Sequence, residues 1–257
     1  MTKILPVASG SSGNALLYMT DSAKILVDAG SNTKTIKKAL ETQGLGLADL
    51  THIFITHTHN DHIAALNVML KHTPAKLYIS ENAYTEFYGF KERALTFAYG
   101  ETVDANGIAV KNFQTSHDSF GSVGYVLNDG KYDFGYCTDL GYVTEEVVNA
   151  VKDCHTLYIE SNHDVEMLKR GPYPYFLKER ILSMTGHISN KECAQLAVHL
   201  AQHKTRNFIL AHLSEQNNTP AKALLETENA LFKAGADGDI RVFVAQKKNT
   251  NPPLILE

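Results

Sequence analysis

The run Thr56-His57-Thr58-His59-Asn60-Asp61-His62 crowds three imidazoles and a carboxylate into seven residues. Apolar Ile53-Phe54-Ile55 leads into it as a strand, and Ile63-Ala64-Ala65-Leu66 leaves it with helical character. A strand, a tight loop and a helix start aim side chains at one spot from several directions. Imidazole and carboxylate are the ligand types that Zn, Mn and Fe accept. Buried together without a cation, they are hard to satisfy. The alternative is a solvated loop drawn by chance from a chain with 12 histidines. The spacing HxHxDH is far more specific than a lone histidine pair and favours a metal centre.

Elsewhere the chain alternates short apolar runs with turn residues. Strands are expected at Lys3–Val7, Ala15–Tyr18 and Lys24–Val27, then a helix over Thr35–Thr42. The Ile53 strand follows, then a helix over Ile63–Lys71, a strand at Lys76–Ile79 and a helix over Glu81–Tyr88. Ala109–Phe113, Ser122–Val126 and Tyr132–Tyr136 read as a meander. A helix over Thr144–Lys152 precedes a buried strand at Thr156–Ile159. Ser189 and Glu192 form a capping box, opening a helix with Cys193, Leu196, Ala197 and Leu200 on one face. Arg206–Leu210 is a strand, Pro220 starts a helix, and Arg241–Val244 closes the pattern. Strands, alternation, strands and alternation again suggest two sheets packed face to face with helices outside. No linker divides the 257 residues, so a single domain over 1–257 is expected.

Hydrophobic residues make up 44% of the chain, enough for a sizeable core, and the formal charge of −4 excludes a strongly basic nucleic-acid coat. Cys137, Cys154 and Cys193 are dispersed and fit reduced, buried thiols in a cytoplasmic protein. The N-terminal run MTKILPVASGSSGN is too short in apolar residues for a signal peptide. No window has the ~20 apolar residues of a membrane span.

A two-metal site needs more ligands than the first cluster holds. Three other strand ends carry polar residues followed by turn residues: His117 in QTSHDSFGS, Asp139 in GYCTDLG and His212 in FILAHLSEQNN. Each alone also reads as an ordinary loop residue. His52, His72, His155, His199 and His203 lack cluster partners and read as structural or surface residues.

With these motifs together, the chain resembles the metallo-β-lactamase superfamily. The resemblance runs through Asp28 in ILVDAG, THTHNDH, TSHDS, CTDLG and LAHLS. SGSSGN, ESNHD, GHISN and LAHLSEQNN are similar to the nuclease-like YycJ/WalJ subgroup. It implies an αββα sandwich of two mixed β-sheets with outer helices. His57, His59 and His117 would hold one divalent ion; Asp61, His62 and His212 would hold a second; Asp139 would bridge them. Asp28 would orient the loop carrying His57 rather than bind metal.

Glu160 in YIESNHD and His187 in TGHISN lie outside that ligand set. A carboxylate beside an imidazole favours its charged form. In RNA-processing relatives a Glu and a His at comparable motifs form a proton-donating pair. Those relatives carry a large inserted domain between the two, which this chain lacks. His187 also reads as a residue that caps and packs. A proton donor suits a phosphodiester, whose sugar-alkoxide leaving group is poor. Between the two motifs, Lys169, Arg170, Lys178 and Arg180 interleave with Tyr173, Tyr175 and Phe176. Basic residues bind phosphates and aromatic faces stack bases; an amphipathic helix after a Pro-rich turn is the alternative. Ser11, Ser12 and Asn14 in SGSSGN, with Ser214 and Asn217 in LSEQNN, complete the candidate substrate contacts, although SGSSGN also suits a tight hairpin.

The reading is a cytoplasmic phosphodiester hydrolase with two divalent ions, Zn or Mn, which activate a bridging water. The resemblance favours a 5′-to-3′ exonuclease with DNA as substrate. Its rivals are an ester, thioester or lactam hydrolase on the same site and a noncatalytic, metal-stabilised nucleic-acid-binding protein. Nothing in the sequence speaks to oligomeric state.

Overall fold

The structure is a computed structural model and describes residues 1–87, 91–236, 238–249 and 251–256. Its contacts gather into two compact units, Met1–Asn112 with Ser119–Val123 and Gln246–Glu257, and Phe113–Asp118 with Gly124–Ala245.

The first part of the chain runs β1 (Thr2–Ala8), β2 (Ala15–Met19), β3 (Lys24–Val27), α1 (Thr33–Glu41), β4 (His52–Ile55), α2 (Asn60–Ile63), α3 (Leu66–Met69), β5 (Lys76–Ser80), α4 (Glu81–Glu86), β6 (Ala94–Phe97), β7 (Thr102–Asp104) and β8 (Ala109–Gln114). There follow β9 (Val123–Asn128), β10 (Asp133–Cys137), α5 (Glu145–Val151), β11 (Thr156–Glu160), α6 (Val165–Arg170), α7 (Tyr175–Ile181), α8 (Asn190–Ala201), β12 (Asn207–Ala211), α9 (Pro220–Lys233), β13 (Arg241–Val244) and β14 (Leu254–Leu256).

The sheet of the first unit has the order β14-β1-β2-β3-β4-β5-β6. Its β1–β2–β3 and β14 pairings are antiparallel, and β3 through β6 run parallel. Five strands of the second, seven-stranded sheet lie in the second unit, in the order β13-β12-β11-β10-β9. There β9–β10 is antiparallel, while β10 through β13 run parallel. Parallel strands share the edge at which they end, and that edge of an α/β sheet is where loops bearing functional groups gather. Asp28 follows β3 and His57 follows β4; Asp139 follows β10, Glu160 ends β11 and His212 follows β12. The two mixed sheets with their helices agree with the expected αββα architecture.

Fully buried β4, β11 and β12 explain why HIFI, TLYIE and NFILA read as apolar runs rather than alternating ones. Against the first sheet pack Ile36 and Leu40 of α1, together with Leu66 and Met69. In the second unit Cys193, Leu196, Ala197 and Leu200 of α8 join Val147 and Val151 of α5 around Leu157, Phe208 and Leu210. The capping box at Ser189 and Glu192 is present, as is the proline in the first turn of α9. All three cysteines are free and buried, and burial pushes their thiols up. Among the described residues no helix is long and apolar enough to cross a membrane.

The expected helix over Ile63–Lys71 is instead two single turns, α2 and α3. Its ladder is broken by the loops beside it. The Asp61 carbonyl accepts from Asn14 N at 2.8 Å, and Ala65 N donates to the Ala29 carbonyl at 2.8 Å rather than back along the helix. The short strands β6, β7 and β14 escaped sequence reading, and β14 rather than β13 is last. Of the helix expected over Glu81–Tyr88, Tyr88 lies outside the described residues.

Candidate metal centre

In the first unit the metal-type loop is clamped from two sides. Asp28 takes a left-handed backbone, φ 60°, directly after β3. Its buried carboxylate accepts from Thr56 N at 2.9 Å and Thr56 Oγ1 at 3.0 Å, and from His62 Nδ1 at 2.8 Å. The Thr56 hydroxyl gives its proton to Asp28, so its lone pair accepts from His57 Nδ1 at 3.0 Å. Both imidazoles are thereby set with the proton on Nδ1, the tautomer in which Nε2 ligates. Gly30 allows the loop to close: a Cβ there would lie 1.5 Å from the Asp61 carbonyl oxygen. The rings of His57 and His62 stand 4.0 Å apart, and those of His57 and His59 4.8 Å. Asp61 Oδ2 lies 3.6 Å from His62 Nε2.

In the second unit two further residues after strands, Asp139 (φ 61°) and His212 (φ 55°), also take left-handed backbones. Side chains rarely adopt that conformation, and it concentrates at sites where geometry is imposed by function. Glu160 is fully buried and accepts four hydrogen bonds. Its Oε1 takes the Nδ1 protons of His187 and His212, each at 2.8 Å. Its Oε2 takes Leu140 N at 2.9 Å and Ile188 N at 3.3 Å. Burial alone would raise its pKa, but His187 and His212 override that and hold it below the ordinary carboxylate range. Asp139 Oδ1 stands 3.6 Å from both His117 Nε2 and His212 Nδ1. His117 Nδ1 donates to the Gly186 carbonyl at 3.2 Å. Burial lowers the His117 pKa against the opposing pull of Asp139 and favours the neutral ring that a metal requires.

Asp139, Glu160, His187 and His212 each present one ligand-type atom within 4.8 Å of the others. Within this group Glu160 Oε1 already accepts from both imidazoles. Neutral imidazoles fixed by outer hydrogen bonds, with carboxylates beside them, form a donor set that fits divalent transition metals.

Residues 8–176 match the family model of the metallo-beta-lactamase superfamily. The chain belongs to that superfamily. It is 34% identical over 234 residues to a Bacillus anthracis protein named exodeoxyribonuclease YycJ, covering 89% of each chain. It is 33% identical over 255 residues to exodeoxyribonuclease WalJ of Streptococcus pneumoniae, covering 96% of this chain and 95% of that one. The solved structure of Zn(2+)-bound PqqB from Methylobacterium extorquens aligns over all of both chains at 15% identity with a TM-score of 0.71, a likeness of fold.

Within this metallo-β-lactamase fold, His57 and His59 in the loop and Asp61 and His62 on α2 lie close in sequence, with Asp28 bonded to Thr56 and His62. His117, Asp139, Glu160, His187 and His212 gather in the second unit. The substrate candidates divide. Ser11 and Ser12 are exposed in the loop before β2. Asn14 stands against the metal-type loop. It is fully buried, with Nδ2 3.0 Å from His62 Nε2 and Oδ1 accepting from Gly10 N at 2.9 Å. Ser214 and Asn217 are likewise buried: Ser214 N donates to the Asn162 carbonyl at 2.8 Å, and Asn217 N donates to Ser214 Oγ at 3.2 Å. Lys169 and Arg170 end α6, where Arg170 pairs with Glu166 at 3.2 Å. Tyr173 is half-buried between the helices. Tyr175 and Phe176 open α7 with 77% and 74% exposure, unusual for aromatic residues and suited to a partner. Lys178 Nζ donates to the Lys169 carbonyl, and Arg180 pairs with Asp118 at 2.6 Å.

Sequence reading passed over Asn162 and His163 of the motif ESNHD. His163 is buried, and neither ring nitrogen has a hydrogen-bond partner among the described residues. Burial, opposed by Glu160, lowers its pKa from 6.5 to about 4. Between those values the unfolded chain binds a proton that the native state refuses, so stability falls as pH falls through that window. The contribution reaches about 3 kcal/mol by pH 4. Urea unfolding of chelator-treated protein at pH 7 and pH 4 should show His163→Gln losing about that much less than the parent. Equal losses would show that His163 titrates normally.

Proposed function

We propose that this chain is a phosphodiester hydrolase with two divalent ions, Zn or Mn, acting as a 5′-to-3′ exonuclease on DNA in the cytoplasm. In this reading the chain works as one functional domain over 1–257, without an inserted second domain. His57, His59 and His117 would hold one ion, Asp61, His62 and His212 would hold the other, and Asp139 would serve both. Bound there, the ions would supply water activation and charge stabilisation. Asp28 and Glu160 set the tautomers of the imidazoles they touch.

The observation that carries a phosphodiester, rather than an activated ester, is the 2.8 Å bond from His187 Nδ1 to Glu160. It fixes the ring through Nδ1 and leaves Nε2 as the atom from which His187 would donate to the departing sugar oxygen. The names of the YycJ and WalJ relatives support DNA as substrate. Exposed Tyr175 and the cations Lys169, Arg170, Lys178 and Arg180 lie on the two helices between Glu160 and His187 and supply phosphate and base contacts. Ser11 and Ser12 serve a phosphate in the same reading, and Tyr173 adds a further aromatic contact.

End-labelled single strands and duplexes of DNA and RNA, tested with Zn and with Mn and sized over time, check this. Mononucleotide release from the 5′ end of DNA is expected. Fast ester or thioester turnover without cleavage of any nucleic acid would overturn it. Replacing Arg170 and Arg180 by Gln should flatten the salt dependence of DNA binding, by roughly 0.7–0.9 in slope for every phosphate the variant no longer neutralises. An unchanged slope would return both arginines to the carboxylates they pair with.

A further inference from the structure

Three segments of the second unit that carry Glu160, His187 and His212 meet at one buried residue, Asn162. It sits two residues after Glu160 and is 3% exposed. Its Nδ2 donates to the His212 carbonyl at 2.9 Å. Its backbone N donates to the carbonyl of Ile188, next to His187, at 3.1 Å. Its own carbonyl accepts from Ser214 N at 2.8 Å and from Asn218 Nδ2 at 3.1 Å. One residue thus ties both imidazoles that share the Glu160 oxygen.

The bond to His212 has a specific task. Ala211 still follows the parallel ladder, its carbonyl accepting from Ser161 N at 2.8 Å. The next residue turns left-handed, at φ 55°. That turn swings the His212 carbonyl off the ladder, and a buried carbonyl without a donor is costly. The Asn162 amide is the donor that meets it there. Without that bond the left-handed conformation, disfavoured for any side chain, loses its compensation. The imidazole would then move off Glu160.

We infer that Asn162 is a positioning residue. It fixes the left-handed turn of His212 and the spacing of His212 and His187 across Glu160. This rests on the proposed role of His212 as a ligand and His187 as a proton donor.

Asn162→Ala removes the donor and keeps the backbone bonds. Asn162→Ser gives a second variant, with a hydroxyl too short to reach His212. Asn218→Ala is the control. Asn218 is equally buried and bonds to Ser161, Asn162 and Asn190, but touches neither histidine. Zinc affinity is read by competition with a chromophoric chelator, thermal unfolding by circular dichroism, and kcat and KM on DNA and on a nitrophenyl phosphodiester. Loss of an outer partner of a ligand costs about 10–100-fold in metal affinity, and a misplaced group costs about 100-fold in rate. Both Asn162 variants should show these losses, in kcat rather than KM, while Asn218→Ala lowers the melting temperature but keeps zinc affinity within about twofold.

Wild-type zinc affinity and kcat in either folded Asn162 variant would overturn the inference. So would equal losses of zinc affinity in Asn162→Ala and Asn218→Ala, because a general softening would then explain both. Should the parent protein cleave no nucleic acid, the proposed function fails, and the zinc titration still decides the positioning role.

Discussion

His212→Ala should lower metal content from two ions per chain toward one and reduce turnover by more than about 100-fold, on DNA and on a nitrophenyl phosphodiester alike. Removing an outer partner of a ligand already costs about 10–100-fold, and a direct ligand should cost more. The local structure points the same way. His212 is buried at the end of β12, with its Nδ1 proton given to Glu160 and its backbone forced to φ 55°. A side chain held so firmly by one nitrogen presents the other in a fixed direction. Elemental analysis of the purified variant, with kinetics on both substrates, gives the answer. Unchanged stoichiometry and activity would remove His212 from the ligand set and put His187 in its place. A loss on DNA alone would be equally damaging, since metal chemistry serves both leaving groups.

What could be read from the sequence follows from how local each feature is. The loop Thr56–His62 declares itself because its ligand-type side chains lie within seven residues after an apolar strand. Asp139, Glu160 and His212 could be found because each stands at the end of an apolar run, and a buried parallel strand has that signature. Asn162 could not be found this way. Its task is defined by the His212 carbonyl and the Ile188 carbonyl, which are distant in sequence and carry no side-chain signal. The same holds for the break between α2 and α3, caused by Asn14 and Ala29 taking the backbone groups that a continuous helix needs. Asn14 is a related case. A Gly/Ser loop with an amide suggests a phosphate contact, but the amide turns inward to Asp61 and His62 because Gly13 and Gly30 let the two loops close together. Of the basic residues on α6 and α7, spacing alone did not show that Arg170 and Arg180 already have carboxylate partners in Glu166 and Asp118.

The expected consequence of His187→Ala divides the two substrates. General-acid help is worth about 10²–10⁴ in rate when the leaving group is poor. A sugar alkoxide leaves only with a proton, whereas a nitrophenolate leaves without one. His187→Ala should therefore cost about 10²–10⁴ in kcat on DNA and spare most turnover of a nitrophenyl phosphodiester, with metal content unchanged. Glu160→Gln should show the same selectivity less strongly: the ring remains, but the carboxylate that orients it through Nδ1 is gone. That variant has a second effect, because Glu160 also receives the His212 proton. Part of its loss should appear on both substrates and with weakened metal binding, a component His187→Ala lacks. The difference between the two variants separates proton donation from ligand orientation on the same carboxylate oxygen. Equal losses on both substrates in His187→Ala, with metal content intact, would refute proton donation. Loss of metal in His187→Ala would make His187 a ligand, and the assignment of His212 would have to be reopened.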